Sequence, residues 1–490
     1  MDYMFLKSGT DVRGIASDLG GKAVELTDKA VYYISAAFAV WCVNKFSKPA
    51  NELKIALGHD SRITADRISN QVKQALVNAG VTVIDCGLAS TPAMFMTTVD
   101  LHTDAAIQIT ASHHPFDRNG LKFFIGTGGL EGSDIAEILT LASNEEECIA
   151  ENVGEVKEYD YMKDYAVRLR NMIIREVGKG EKPLEGYHIV VDAGNGVGGF
   201  YANEVLLPLG ADITGSQFLD PDGMFPNHIP NPENKQAIES ICEAVKKSNA
   251  DFGVIFDTDV DRAGCVDSDG NEINRNRLIA IAAYIALGGK SGGTIVTDSV
   301  TSDGLKKYIQ EDLGGVHYRY RRGYKNVINK AIELGKQGID CPLAIETSGH
   351  AALKENYFLD DGAYLATKII VEVAKGIDIK KLLSTMEMPV EEAEYRFNIM
   401  TKDFRPYGEK VIADLEQFAE NQDGYVIADD NREGIRVSTK QGWFLLRLSV
   451  HDPVMPMNFE SNELGGIEVM KQELKAFFES FSDLEMPKDF

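Results

Sequence analysis

The sequence predicts an α/β protein of several domains, with mixed, mainly parallel sheets. Short apolar runs of strand type alternate with amphipathic stretches along most of its 490 residues. This alternation is typical of parallel strands that are connected by helices. A chain of this length is also too long for a single hydrophobic core. Several of the strand-like runs end in small or acidic loops, a pattern that is consistent with three similar domains.

Individual elements can be assigned along the chain. The apolar stretch 30–43 contains Ser35 and is too short to cross a bilayer, so it predicts a buried helix. A second helix is predicted over 64–79 by its amphipathic pattern. In the last part of the chain, Val437 and the run 443–446 predict a β-rich sheet with helices on one face. The predicted strands that end in polar or small loops are 53–57, 105–109, 187–191, 250–256 and 293–296.

Breaks between these elements suggest where the domains divide. The polar stretch 178–183 marks the end of a helical connection. The segment 267–271, Asp-Ser-Asp-Gly-Asn, predicts a hairpin turn near a second boundary, and 386–389 precedes the last region. The predicted domains are residues 1–170, 171–275, 276–385 and 386–490.

Composition restricts the class of protein. The apolar and charged fractions, 44% and 26%, are those of a globular protein. The start of the chain lacks the basic and apolar regions of a secretory signal, and the six cysteines are scattered without a C-x-x-C pair. We therefore expect reduced thiols and a cytoplasmic location. The formal net charge of −25 disfavours nucleic-acid and membrane partners.

The first chemical signal is the run Thr110-Ala-Ser-His-His-Pro115, which follows a predicted strand. Ser112 is placed on a loop with two imidazoles beside it and Lys122 ten residues further on. A serine in such surroundings can act as a nucleophile or carry a phosphate, because the cations offset charge on its oxygens. An ordinary turn whose serine caps a helix is the competing interpretation, and this run alone leaves both open.

The second signal is an acidic loop after another predicted strand. Asp257, Asp259 and Asp261 alternate along it, and Arg262 follows. Three carboxylates so close together would repel one another without a cation, and oxygen ligands favour a hard ion such as Mg²⁺. A calcium EF-hand loop is excluded, because Arg262 and Ser268 stand where that loop needs Gly and Glu. A solvated acidic turn is disfavoured by the arginine within the run.

The serine loop and the three-aspartate loop together resemble the α-D-phosphohexomutase family, which includes phosphoglucomutases and phosphomannomutases. The family patterns T-A/G-S-H-N/H-P and D-x-D-x-D-R are both matched. Further segments match the family in its order along essentially the whole chain; they are 9–14 (Gly-Thr-Asp-Val-Arg-Gly), 58–62 (Gly-His-Asp-Ser-Arg), 226–232 (Pro-Asn-His-Ile-Pro-Asn-Pro) and 346–350 (Glu-Thr-Ser-Gly-His).

One loop departs from the family pattern. The phosphate-gripping loop R-x-S-G-T-E-P corresponds here to Arg447-Leu-Ser-Val-His-Asp-Pro453. Val450 replaces a glycine, and valine does not readily adopt positive φ. His451 replaces a threonine and can donate to a phosphate, more strongly when protonated. We expect phosphate binding here in an altered form. A smaller departure is Ile345, where the family's sugar loop has glycine.

The resemblance implies a fold and a set of site residues. It implies three related α/β domains and a smaller C-terminal α+β domain around a central cleft, carrying the phosphoserine, metal, sugar and phosphate loops in that order. The implied catalytic residues are Ser112, His113, Lys122 and Arg13. The implied substrate-binding residues are Arg262, Gly323, Lys325, Glu346, Ser348 and His350. The implied phosphate-binding residues are Arg447, Ser449 and His451, and the implied metal ligands are Asp257, Asp259, Asp261 and Ser112.

The activity that the resemblance implies is exchange of phosphate between O1 and O6 of a hexose. The substrate would be a glucose or mannose phosphate, and the reaction would pass through a phosphoserine enzyme and a hexose 1,6-bisphosphate. Mg²⁺ would be the cofactor and the bisphosphate an activator. The expected state is a monomer or a homodimer. The residue that acts as general base is left open among Lys122, Arg13, His113 and His350.

Competing functions and purely structural roles also follow from the sequence. With its altered last loop, the protein could be a hexose 1,6-bisphosphate synthase that takes phosphate from a bisphosphorylated donor. The sequence is also compatible with a non-catalytic phosphosugar-binding protein and with a metal-dependent phosphatase. Asp60 and Arg62 are predicted to form a structural ion pair, Trp443 to be a core residue, and His114 to be structural.

Overall fold

A computed structural model describes residues 1–449 and 452–490. Within this part of the chain, the strands are β1 Lys7–Ser8, β2 Asp11–Ile15, β3 Lys54–His59, β4 Thr82–Leu88, β5 Ala105–Ile109, β6 Arg118–Ile125, β7 Gly128–Gly129, β8 Val156–Glu158, β9 Ile189–Asp192, β10 Phe252–Phe256, β11 Ala263–Val266, β12 Glu272–Ile273, β13 Thr294–Asp298, β14 Val316–Tyr320, β15 Leu343–Ile345, β16 Ala351–Leu353, β17 Leu359–Asp360, β18 Glu391–Ile399, β19 Val426–Ile427, β20 Ile435–Ser438, β21 Gly442–Leu446, β22 Val454–Ser461 and β23 Leu484–Glu485.

The α-helices are α1 Asp28–Phe46, α2 Ala65–Asn78, α3 Thr91–Asp100, α4 Gly132–Ser143, α5 Tyr161–Val177, α6 Lys235–Ser248, α7 Arg275–Leu287, α8 Asp303–Lys307, α9 Tyr324–Lys336, α10 Gly362–Ala374, α11 Ile379–Leu382, α12 Phe404–Glu420 and α13 Gly466–Glu479. Short 3-10 turns lie at Met4–Leu6, Asp18–Gly20, Ala50–Glu52, Leu207–Leu209 and Lys354–Asn356, and π-helical turns at Tyr201–Leu206 and Tyr308–Asp312. None of the helices in the described residues combines the length and the apolar character needed to span a bilayer.

Several helices begin where the sequence supplies a capping side chain. The side-chain oxygens of Thr27, Ser90, Asn234, Ser302 and Asp361 each accept a hydrogen bond from a backbone N–H in the first turn of α1, α3, α6, α8 and α10. A cap of this kind satisfies a donor that the helix itself leaves unpaired. The predicted buried helix is α1, and the predicted hairpin turn joins β11 to β12.

The chain forms two compact units, residues 1–274 with 348–379, and residues 275–347 with 380–490. The first unit contains a mixed sheet in the order β1-β2-β6-β5-β3-β4-β8, with β7 paired to β6. In it β3 runs parallel to β4 and β5, whereas β6 is antiparallel to β5 and β2. The core of this sheet and its helices is drawn from residues between Tyr3 and Ala142.

The first unit also contains a second sheet, in the order β12-β11-β10-β9. Strands β9 and β10 are parallel, and β10, β11 and β12 are connected as antiparallel neighbours. Its core cluster takes residues between Val190 and Val266, with α6 supplying one side. The loops after β5 and β10, which carry the serine and the three aspartates, therefore each follow a buried strand of this unit.

The second unit contains the parallel strands β14, β13 and β15, and a C-terminal sheet in the order β19-β20-β21-β22-β18-β23. The pairs of the C-terminal sheet are antiparallel. Its core, between Phe397 and Leu484, includes residues of α12 and α13. The prediction of an α/β protein with mixed sheets and a C-terminal sheet domain is confirmed.

Candidate active site

The loop after β5 holds Ser112 in an unusual backbone conformation. Ser112 has a φ of 51°, in the left-handed region that residues with a Cβ rarely adopt. The Oγ1 atom of Thr110 accepts a hydrogen bond of 2.8 Å from the Ser112 N–H. The side chain is nearly buried, at 4% exposure. A strained residue that is fixed by its neighbours is typical of a functional loop.

The backbone of β6, the strand that follows this loop, packs closely against β2 and the end of β5. Gly120 lies on β6, and an added Cβ there would stand 2.3 Å from the carbonyl oxygen of Val12 and 2.8 Å from that of Thr110. Arg13 is the register partner of Gly120 on β2. Only glycine permits this approach, and it brings Arg13 on β2 beside the end of the serine loop.

The three aspartates of the loop after β10 lie close together. Asp257, Asp259 and Asp261 are buried and offer ligand atoms within 4.8 Å of one another. Val260 between them has a φ of 65°, which is costly for a β-branched residue. The N–H of Thr91, the first residue of α3, donates to the Asp259 carbonyl at 2.9 Å, and the Thr91 hydroxyl donates to the Asp259 carboxylate.

The charges of this cluster are only partly balanced. Burial raises the pKa of Asp257 well above its usual range, and the charges of Asp261 and Asp259 raise it further. Burial would also raise the pKa of Asp261, but the Lys122 ammonium and the Arg262 guanidinium hold it below its usual value. The cluster therefore lacks positive charge, which a bound cation would supply.

The donor set fits a divalent metal ion. Lys122 Nζ donates to Asp261 Oδ2 at 2.6 Å and to Asp259 Oδ2 at 3.3 Å. The other carboxylate oxygen of each of these aspartates is buried and accepts no hydrogen bond from the described residues. Buried oxygens of neighbouring carboxylates that accept no hydrogen bond are the ligands that a hard cation such as Mg²⁺ prefers. Asp257, Asp259 and Asp261 can hold a metal ion.

The serine and the acidic cluster are in direct contact. Ser112 Oγ donates to Asp257 Oδ2 at 2.9 Å. The same carboxylate oxygen accepts from Arg262 Nε and Nη2, each at 3.3 Å. Arg262 is itself nearly buried, at 1% exposure. The two loops that the sequence singled out, which lie 145 residues apart, thus form one site.

Three histidines near the contact between Ser112 and Asp257 have lowered pKa values and are therefore neutral. Arg262 Nη2 donates to His113 Nδ1 at 2.6 Å, and Ser112 Oγ lies 3.3 Å from the same nitrogen. Burial, followed by the charge of Arg262, lowers the pKa of His113 to about 2. Burial lowers the pKa of His114 and of His350 to about 3 as well. His114 stacks on His113, with 5.2 Å between ring centroids.

Other predicted site residues of the first unit lie around the same cluster. Arg13 Nη2 donates to Asp11 Oδ2 at 2.8 Å, and its charge is among those that lower the pKa of His113. His350 Nε2 lies 3.9 Å from Asp261 Oδ1, and its Nδ1 is 2.9 Å from Ser348 Oγ. The first unit therefore brings together Ser112, His113, Lys122, Arg262, the three aspartates, Ser348 and His350.

The second unit holds the remaining described residues of the prediction. The N–H of Gly323, just before α9, donates to Glu346 Oε1 at 2.6 Å. Burial, followed by the charge of Asp298, raises the pKa of Glu346 to about 8. Lys325 lies in the first turn of α9.

Arg447 and Ser449 follow β21, an interior strand of the C-terminal sheet. Arg447 Nη2 lies 3.7 Å from Glu394 Oε2, and Arg322 Nη1 lies 4.0 Å from the same oxygen. Ser449 N–H donates to the Val454 carbonyl at 2.9 Å. The predicted phosphate-binding residue His451 lies outside the described residues, as does Val450. Two arginines therefore share one carboxylate beside the altered loop.

Two contacts of the site were missed by the reasoning from sequence. Thr91 stands in an unremarkable Ser-Thr-Pro helix start, and only the fold shows that it bonds to Asp259. Glu394 lies on β18, 53 positions before Arg447, with no local motif. The sequence carries no signal for either contact, because each depends on a tertiary arrangement.

Comparison with known proteins agrees with this geometry. Residues 8–148, 163–270 and 274–388 match the family descriptions "Phosphoglucomutase/phosphomannomutase, alpha/beta/alpha domain I", "domain II" and "domain III" respectively. The chain belongs to the phosphoglucomutase/phosphomannomutase family. It is therefore a phosphohexomutase of the α-D type, an isomerase that transfers a phosphoryl group, as the sequence predicted.

Relatives of this phosphohexomutase match it over nearly their full length. A phosphoglucomutase of Neisseria meningitidis is 30% identical over 478 residues, which are 97% of each chain. A phosphomannomutase/phosphoglucomutase of Pseudomonas aeruginosa is 29% identical, over 95% of this chain and 94% of its own. A family protein of Burkholderia thailandensis has a similar solved structure, with a TM-score of 0.81, 25% identity and coverage of 99% and 100%.

Proposed function

We propose that this phosphohexomutase interconverts hexose 1-phosphates and hexose 6-phosphates, with glucose or mannose as the sugar, through a phosphoserine at Ser112. The observation that carries the proposal is the 2.9 Å contact between Ser112 Oγ and a carboxylate of the buried three-aspartate cluster. The names of the Neisseria and Pseudomonas relatives support the choice of sugars.

Phosphoryl transfer would proceed in two balanced halves. The free hydroxyl oxygen of a hexose monophosphate forms a bond to the phosphorus on Ser112, and the bond between phosphorus and Ser112 Oγ breaks. The hydroxyl loses its proton to the site, and Ser112 Oγ regains one. The hexose 1,6-bisphosphate then turns over and returns its other phosphoryl group to Ser112, which releases the isomer.

Residues around Ser112 would bear the charge of this transfer. Arg262 and Lys122 already contact the acidic cluster and can bind phosphoryl oxygens as they become more negative. Lys122, Arg13, His113 and His350 are the candidate proton carriers. Asp257, Asp259, Asp261 and a phosphoryl oxygen on Ser112 would hold Mg²⁺, which when bound neutralises charge on the transferring group.

Residues of the second unit would bind the sugar and its second phosphate. Glu346 is proposed to bind sugar hydroxyls, beside the loop of Gly323 and Lys325. Ser348 is proposed as a further sugar-binding residue. Arg447, Ser449 and His451 are proposed to bind the phosphate that does not react. This phosphate-binding site must accept either phosphate of the bisphosphate, because the bisphosphate is bound in two orientations. Hexose 1,6-bisphosphate is the proposed activator, since it rephosphorylates an empty Ser112.

We propose a division of the chain into four domains, which the grouping of the strands supports. The segments 1–170, 171–275 and 386–490 contain β1–β8, β9–β12 and β18–β23, respectively. The segment 276–385 contains β13–β17. We propose a monomer or homodimer in the cytoplasm, and we propose no nucleic-acid or membrane partner because of the net charge of −25.

A coupled assay tests this function. Conversion of α-glucose 1-phosphate or mannose 1-phosphate to the 6-phosphate is followed with MgCl₂, with and without a trace of glucose 1,6-bisphosphate. We expect activity that depends on the trace and vanishes in Ser112→Ala. The matched control is Ser35→Ala, because the Ser35 hydroxyl is buried in α1 without a hydrogen-bond partner among the described residues.

The products separate the proposal from the competing functions. A bisphosphate synthase would accumulate hexose 1,6-bisphosphate in stoichiometric amounts from a bisphosphorylated donor. A phosphatase would release inorganic phosphate without isomer, and a binding protein would do neither. Full isomerase activity in Ser112→Ala, with no phosphoserine in the wild-type peptide that contains residue 112, would contradict the proposed mechanism.

A further inference from the structure

Arg62 holds four carbonyl groups of the loop that carries Ser112. Its Nη2 donates to the carbonyl oxygens of Ser112 and His114, each at 2.5 Å. Its Nη1 donates to the carbonyl oxygens of Pro115, at 2.7 Å, and Arg118, at 2.8 Å. One planar guanidinium group therefore binds backbone carbonyls along the whole turn from the serine to the start of β6. The rigid arrangement of N–H donors in arginine allows several such bonds at once.

Arg62 is itself fixed in place. Its residue exposure is 2%, and Nε lies 3.3 Å from Asp60 Oδ2. The other carboxylate oxygen of Asp60 accepts from the Arg62 N–H at 2.9 Å. On another side, the ring of Phe225 lies 5.3 Å from the guanidinium carbon. The predicted ion pair of Asp60 and Arg62 is confirmed, but most of the hydrogen bonds of Arg62 go to the serine loop.

The serine depends on such external contacts for its backbone shape. A non-glycine residue in the left-handed region is strained, so surrounding structure must select it. The Ser112 N–H is held by Thr110 Oγ1, and the Ser112 carbonyl is held by Arg62. Both peptide groups of the serine are thus tied, which leaves its Oγ pointing at Asp257.

We propose that Arg62 is a positioning residue for phosphoryl transfer: by holding four carbonyls of its loop, it sets the place of Ser112 Oγ relative to the acidic cluster. The inference rests on the proposed function, in which Ser112 carries the phosphoryl group. Arg62 touches the backbone of the loop rather than the proposed substrate, so its effect falls on kcat. A misplacement of about 1 Å is enough to lower a rate about 100-fold.

The test is Arg62→Lys, which keeps the positive charge beside Asp60 but loses the fork that reaches four carbonyls. We expect kcat to fall about 100-fold while KM for glucose 1-phosphate stays within about threefold. The matched control is Arg67→Lys. Arg67 also donates to two backbone carbonyls, those of Ala16 at 2.8 Å and Leu26 at 3.1 Å, but it does not hold the serine loop. Its kcat should stay at the wild-type value.

Circular dichroism and thermal unfolding show whether each variant is folded. If Arg62→Lys does not fold, kcat is measured instead for the double variant Asp60→Asn, Arg62→Gln. This variant leaves no unpaired buried charge. The result that overturns the inference is a folded variant of either kind whose kcat is within about threefold of wild type. Rescue of folded Arg62→Ala by millimolar guanidinium would support it further.

Failure of this inference can be told apart from failure of the proposed function. If wild type carries phosphoserine at residue 112 and Ser112→Ala is inactive, but Arg62→Lys is fully active, only the positioning role is wrong. If Ser112→Ala is fully active, the phosphoserine mechanism itself is wrong, and the role of Arg62 falls with it.

Discussion

Lys122 Nζ donates to Asp261 Oδ2 at 2.6 Å, inside a buried cluster that holds two further carboxylates. The same ammonium group lies 3.3 Å from Asp259 Oδ2. Because Lys122 lies on β6 and the aspartates follow β10, this pair ties the serine-bearing segment to the acidic loop. The stability of the packing between β6 and the acidic loop should therefore depend on the Lys122 ammonium and on any metal ion bound by the aspartates.

Replacing Lys122 should destabilise the protein in the absence of metal. In Lys122→Met the buried carboxylates lose a partner, so we expect the free energy of unfolding in EDTA to fall by about 3–5 kcal/mol, as measured by urea titration. Lys73→Met is the control, since Lys73 pairs with Asp85 at 2.8 Å near the surface, and it should cost at most about 1 kcal/mol. Equal losses would contradict the prediction.

Magnesium should stabilise the wild-type protein. A ligand that binds only the folded state at 100 times its Kd adds about 2.7 kcal/mol, so Tm should rise in a titration with MgCl₂. Asp259→Asn, which lacks one buried carboxylate, should respond much less. Asp269→Asn, in the turn between β11 and β12, should respond as wild type does. An equal rise in all three proteins would show that the cation binds elsewhere.

Removing the charge of Glu394 should tighten the binding of phosphosugar. Its carboxylate lies near both Arg447 and Arg322 and competes with an incoming phosphate for them. We expect Glu394→Gln to lower KM for glucose 1-phosphate by about two- to fivefold, the size of a partly exposed ion pair. Glu392→Gln, two residues away on β18, is the control and should leave KM unchanged. A higher KM in Glu394→Gln would show that the carboxylate helps to orient Arg447.

Glu460 should make the stability of the C-terminal sheet depend on pH. Burial raises the pKa of Glu460 to about 8, although the charge of Arg436 opposes the shift. The pKa of Glu460 is higher in the folded than in the unfolded protein. Its contribution to the free energy of unfolding is therefore complete below about pH 4.5 and is lost as the pH rises through 8.

The variant Glu460→Gln keeps an acceptor for Trp443 Nε1, which donates to Glu460 Oε2 at 2.7 Å. It should match wild type at pH 5 and unfold at a higher temperature at pH 9. Glu463→Gln is the control, because Glu463 lies just beyond the same strand but is exposed to solvent. The prediction is checked by thermal unfolding at the two pH values. If Glu460→Gln is less stable than wild type at pH 9, the predicted direction of the pH effect is wrong.

A side chain at Gly120 should not be tolerated. The Cβ of Gly120→Ala would meet two backbone carbonyl oxygens at 2.3 and 2.8 Å, so we expect a loss of about 1–3 kcal/mol or more, measured by urea unfolding. Gly126→Ala is the matched control, because nothing lies within 4 Å of its added Cβ. If both variants unfold alike, the backbone there must relax more freely than the packing suggests.

The sequence predicted the α/β class and both loops of the site, because strand ends and the acidic run are local patterns. Asp257, Asp259 and Asp261 occupy every second position of one short loop, so their clustering can be read without any tertiary information. Trp443 is confirmed as a core residue at 3% exposure, packed with Val300 and Leu445.

Other features could not be predicted from the sequence. The role of Arg62 depends on backbone carbonyls, which have the same chemistry at every residue, and its partner Ser112 lies 50 positions away. The left-handed Val260 contradicts the preference of a β-branched side chain, so propensity predicts the opposite. Both are cases in which tertiary contacts decide a local conformation.

The cores of the first unit also determine when the site can exist during synthesis. The sheet that carries Ser112 takes its core from residues between Tyr3 and Ala142, whereas the aspartate loop belongs to a core between Val190 and Val266. At about 5–20 residues per second, the ribosome completes the first core several seconds before the second. Every residue of the serine-bearing core is therefore translated before any of the three aspartates, so this core can fold before the acidic loop exists.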